Sequence, residues 1–154
     1  MAKKLDDWQK KLSKIERLEP SNWPIEQLPG LSDAHIQALQ QLGITTTFHL
    51  LHNGRTPEQR QAIATHFHLH IQHVNKWIAM CNLARIPSVG CMHCGLVLHS
   101  GIATPEQLAQ TTVAHLHPQI LKMHVAEMQR QDLCPKVEDV NQWINDAKQL
   151  ISNT

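Results

Sequence analysis

The chain repeats itself. IEQLPGLSDAHIQALQQLGITTTFHLL (residues 25–51) returns as LARIPSVGCMHCGLVLHSGIATPEQLA (residues 83–109), 58 positions later. Leu28 answers Ile86, Pro29 answers Pro87, Leu31 answers Val89, Gly43 answers Gly101 and Ile44 answers Ile102. Each copy closes on a similar phrase, HVNKWI (73–78) and DVNQWI (139–144), now 66 apart, so the second copy carries eight additional residues in its middle. At 154 residues the chain can bury one sizeable core, as one domain or as two small fused units. TPEQ also occurs twice (56–59 and 104–107), but 48 apart and out of register. It reads as a reused helix start, with Thr as N-cap, Pro at the first helical position and Gln closing a capping box.

The periodicity is helical throughout. Helices are expected near 3–18, 24–28, 32–42, 46–52, 57–67, 72–85, 91–100, 105–112, 117–131 and 136–152. In the first of these, Leu5, Trp8, Leu12 and Ile15 recur on one face, with Lys3, Lys4, Lys10, Lys11, Lys14 and Arg17 over much of the rest. HFHLHIQH (66–73) alternates, but it is short and lies between two helical patterns, so it reads as a helix end plus a connection. The expected organisation is an N-terminal amphipathic helix (1–20), a first unit (21–85) and a second unit (83–154), packed as one globular domain. Trp77 and Trp143 are matched core anchors in equivalent helices.

Both units resemble the helix-hairpin-helix family. There, an apolar helix end runs into Pro-Gly-apolar-Gly and then a second helix, and the glycines permit a tight backbone. The first hairpin has Ile25, Leu28, Pro29, Gly30 and Leu31, then Ser32. The second has Leu83, Ile86, Pro87, Ser88, Val89 and Gly90, with Cys94 at the small-residue position. Gly-Ile-x-Thr at 43–46 and 101–104 is similar to the family's continuation. Over residues 22–151 the layout resembles duplicated helix-hairpin-helix proteins, a domain of unknown function associated with photosynthetic bacteria. The resemblance implies an all-α fold of two tandem units, and little about activity.

Each hairpin keeps one glycine of two, and neither carries Lys or Arg just inside its second helix. No Lys or Arg occurs between Arg17 and Arg55, and the formal net charge is only +1. Phosphate contacts dominate nucleic-acid affinity and need cations, while Asp33 at a helix start repels phosphate. Nucleic-acid binding is therefore expected to be weak or absent. Its one candidate surface is the second hairpin, through Arg85, Ser88, Val89, Gly90, Cys91 and His93.

Four cysteines, Cys81, Cys91, Cys94 and Cys134, equal the ligand count of a closed zinc site or an iron–sulfur cluster. Their spacing matches no compact zinc ribbon, and Cys94 has a packing reason to be small. Cys91, at a helix start, is expected to be the most acidic thiol. A thioredoxin-like role lacks the βαβ setting it needs. Among twelve histidines, His66, His68, His70 and His73 form a tract with helical metal spacing but no accompanying carboxylate. No catalytic grouping and no phosphate loop stands out.

The reading is a non-enzymatic binding or scaffold module that acts through a protein partner. The alternatives are nucleic-acid binding through the second hairpin, and a zinc or iron–sulfur protein on the four cysteines. No apolar run approaches membrane-spanning length, and the start MAKKLDDWQKKLSKI has basic residues but no apolar stretch of a secretory signal, so the expected location is the cytoplasm.

Overall fold

The computed structural model describes residues 18–128 and 134–152, so the expected N-terminal helix lies outside the described residues. Among those described, a 3-10 turn at Ile25–Gln27 precedes eight helices: α1 (Asp33–Gln41), α2 (Thr47–Asn53), α3 (Pro57–Phe67), α4 (Ile71–Ala84), α5 (Gly90–His99), α6 (Pro105–Gln110), α7 (Val113–Met128) and α8 (Val137–Ser152). There is no strand among them, only one isolated bridge between Pro24 and Thr46. The fold is all-α, and no described helix is long and apolar enough to cross a membrane.

The helix ends explain the sequence's punctuation. Gly43 (φ 83°) and Gly101 (φ 100°) take the left-handed conformation after α1 and α5. After α1, the Gly43 N–H donates to the Gln40 carbonyl and the Ile44 N–H to that of Leu39; after α5, Gly101 donates to Leu98 and Ile102 to Val97. Both are Schellman stops, which satisfy carbonyls a helix end would otherwise orphan. Two residues on, Thr46 and Thr104 accept the N–H groups of His49 and Gln107 and start α2 and α6. Gly-Ile-x-Thr is thus one helix stop and one helix start in four residues.

TPEQ closes a full capping box at Thr56 and Gln59. At its second occurrence, the Gln107 side chain accepts from Ala103 instead of Thr104, so the box is shifted by one residue. The helix expected at 117–131 begins earlier, at Val113. Thr112 accepts the His115 N–H as its cap, and Pro118 falls inside the first turns. A proline there removes one intrahelical bond, which the early start tolerates.

The core is one connected cluster that spans both halves of the chain. α4 packs on α2, α3 and α5; α8 packs on α6 and α7; α5 also meets α7. Trp77 and Trp143 are buried on α4 and α8. Trp77 meets Phe67 edge-on at 6.0 Å and His35 at 5.3 Å, and Trp143 lies 5.0 Å from the His93 ring. A short N-terminal strap ties the halves together. Asn22 and Trp23 bond to the start of α2, where Phe48 N–H donates to Asn22 Oδ1 and Thr47 N–H to the Trp23 carbonyl. Ser21 N–H donates to the Arg85 carbonyl, and Trp23 Nε1 donates to the Ala84 carbonyl at 2.7 Å. The Trp23 ring covers Gly90, where a Cβ would stand 3.0 Å from Trp23 Cζ2. The turn at Pro29 also approaches α5, since a Cβ on Gly95 would meet Pro29 at 3.7 Å.

Candidate functional site

Three of the four cysteines come together at the joint between α4 and α5. Cys81, Cys91 and Cys94 are buried, and Cys94 Sγ donates to the Cys91 carbonyl at 3.7 Å. Burial pushes the Cys81 thiol far up, with further raising from Cys94 and Cys91. Burial and then Cys91 raise Cys94 to about 12. Burial alone lifts Cys91 to about 11. The expected acidification of Cys91 by its helix start is reversed, because loss of water around the thiolate outweighs the helix dipole. Cys134 is half-buried and is raised by burial only, with no neighbouring thiol contributing. Among the described residues, no group of three His, Cys, Asp or Glu is arranged to hold a metal ion.

The turn between α4 and α5, expected as the second hairpin, is closed on itself. The N–H groups of Val89 and Gly90 both donate to the Ile86 carbonyl, so they do not point outward at an anion. Ser88 Oγ is buried with no hydrogen-bond partner. His93 packs on Trp143, and burial lowers its pKa despite the opposing pull of Asp139, which leaves it uncharged at neutral pH. Arg85, held by Asn82 Oδ1 at 2.8 Å, faces elsewhere. Pro29, Gly30, Pro87 and Gly90 shape the two turns, and Gly30 (φ 82°) and Gly90 (φ 55°) occupy the left-handed region that a side chain resists.

The histidine tract is not one helical face. The chain reverses at His68, which caps α3 at φ 54°, and His70 Nδ1 accepts the Gln72 N–H to start α4. His66 and His70 therefore lie on opposite sides of a break, and the i, i+4 metal spacing does not form.

What the sequence did not single out is a groove of about 690 Å³ beside the α2–α3 turn. Arg55 from that turn, Arg60 from α3 and Arg85 from the end of α4 all line it, with His52 from the last turn of α2. These are the three arginines among the described residues. Pro20, Phe48, Leu51 and Ile78 add apolar lining, and among the described residues no Asp or Glu lines the groove. Arg60 is fixed in place, donating to the Gly54 carbonyl at 2.9 Å and the Arg55 carbonyl at 3.2 Å. Arg55 is exposed. A planar guanidinium held in this way presents a rigid fork of donors to a carboxylate or phosphate. The signal available in the sequence was faint: three separated arginines following a long stretch without cations.

The family described as Domain of unknown function (DUF4332) matches residues 29–150. The chain belongs to this family. The DUF4332 region runs from Pro29 through both repeats and holds the three neighbouring thiols and all three groove arginines, while Ile25, Leu28 and the strap residues Ser21, Asn22 and Trp23 precede it. No curated protein and no solved structure matches the chain.

Proposed function

We propose that this DUF4332 protein is a non-enzymatic binding module, two tandem helix-hairpin-helix units that engage a protein partner through the arginine groove. The observation that carries this reading is the convergence of Arg55, Arg60 and Arg85 on one concave surface with no carboxylate among its described lining residues. Duplication is supported by the paired Schellman stops and threonine caps 58 residues apart, and by the like packing of α4 on α2 and α3 and of α8 on α6 and α7. A nucleic-acid role is less well supported. The second hairpin's Val89 and Gly90 amides already bond to Ile86, and a net charge of +1 gives little long-range attraction for a polyanion.

The test is cross-linking mass spectrometry in extract of the protein's own cells, comparing the natural protein with an Arg55→Glu/Arg85→Glu variant. A protein partner cross-linked to the α2–α3 turn or the end of α4, and lost on charge reversal, is the expected result. A partner set unchanged by charge reversal would remove the groove from the interface.

A further inference from the structure

We infer that the groove takes a short acidic segment of the partner that also carries an apolar side chain, so that carboxylates meet the arginines while the apolar group meets Phe48 and Ile78. This rests on the binding-module reading and names the chemistry of its ligand. Two features of the groove select that chemistry. Among the described lining residues its charge is of one sign, with three guanidinium groups on separate elements and no carboxylate. No carboxylate of the described lining competes there for an incoming anion. Its lining also holds the apolar side chains of Phe48, Leu51 and Ile78, which gain nothing from a phosphodiester backbone but do gain from burying a Leu or Phe side chain. Arg60 is tied to two backbone carbonyls and Arg85 to Asn82, so two of the three donors are ordered before any ligand arrives, which lowers the entropy lost on binding.

The protein's own first residues are a poor occupant by charge. Lys3, Lys4, Lys10, Lys11, Lys14 and Arg17 outnumber Asp6, Asp7 and Glu16. A volume of about 690 Å³ that opens to solvent suits a few residues of extended or helical peptide laid across the α2–α3 turn.

Fluorescence anisotropy with the full chain tests this directly. The probe is a labelled synthetic peptide of alternating Glu and Leu. Its comparators are the same peptide with Gln for Glu, the same peptide with Gln for Leu, inorganic phosphate, and a labelled DNA duplex. The Glu-Leu peptide should bind best, and either Gln replacement should weaken it. Arg55→Gln and Arg85→Gln should each weaken binding by about tenfold, the loss expected for one charge-assisted contact. Circular dichroism melts of both variants should match the natural protein, which separates lost contacts from lost fold.

Several results would overturn the inference. They are no binding of the Glu-Leu peptide, binding that survives both arginine changes, or equal binding of the peptide without Leu. Tighter binding of duplex DNA at physiological salt would assign the groove to nucleic acid, and inorganic phosphate competing as well as the peptide would assign it to a small anion. Self-association abolished by Arg55→Gln would assign it to a second copy of this chain. Should cross-linking find a partner lost on charge reversal while no acidic peptide binds, the binding-module reading stands and the acidic–apolar ligand falls.

Discussion

Cys81, Cys91 and Cys94 sit where α4 meets α5, and each is held in its neutral form. Cys91 ionises at about 11 and Cys94 at about 12, against an ordinary 9.0, with burial as the main cause in both. Below about pH 9, these thiols are protonated in the folded and the unfolded chain alike, so they contribute no pH dependence. Above that, the unfolded chain releases protons that the folded chain retains, so stability falls as pH rises from about 9 through about 11. Urea midpoints measured on either side of about pH 9 should show that fall, and replacing Cys91 with Ala should reduce its slope. A thiol reagent at neutral pH should reach Cys134 first and the three buried thiols only as the chain unfolds. Rapid labelling of Cys91 in the folded protein would contradict this assignment. Cys94 as a packed small residue was readable from its place in the repeat. The behaviour of Cys91 was not, because a helix start and burial push a thiol in opposite directions, and sequence shows only the first.

At the scale of the element, the helix stops give a controlled comparison. Gly43 and Gly101 have left-handed backbones, and an added Cβ would have no neighbour within 4 Å. Ala at either position meets only the backbone penalty, about 1 kcal/mol. Gly90 is also left-handed, but its added Cβ would stand 3.0 Å from the Trp23 ring. Gly90→Ala is therefore expected to lose roughly 1 kcal/mol more than Gly43→Ala or Gly101→Ala, as steric crowding adds to the backbone strain. Denaturant titration of the three variants decides it, and equal losses would mean that Trp23 yields easily. The glycines, threonine caps and apolar spacing made most helices legible, because each acts through its own few neighbours. The start of α7 was misplaced because Pro118 is compatible with both a first helical position and an early interior one. The cap at Thr112 decides between them, and its bond to the His115 N–H exists only once the chain has turned.

For the whole molecule, the question is whether two copies of one pattern behave as one body. The groove shows why distance along the chain hides such a property. Arg55, Arg60 and Arg85 come from a turn, a helix and a helix end, and nothing in their spacing announces that they meet. Trp23 raises the same difficulty, for it lies outside either hairpin yet touches both halves. Its backbone bonds to Thr47 at the start of α2, its Nε1 satisfies the Ala84 carbonyl at the end of α4, and its ring lies on Gly90 at the start of α5. With one continuous core beneath it, the strap should couple the two units into a single cooperative transition. Trp23→Phe keeps most of the ring but leaves the Ala84 carbonyl without its partner, a loss of about 1–3 kcal/mol. If the units unfold together, native-state amide exchange should accelerate by the same factor in α3 and in α7, although the altered ring bonds to the end of α4 and lies on the start of α5. Acceleration confined to α1–α4 would mean that the second unit stands on its own core, and that the repeat is two domains joined by a shared helix.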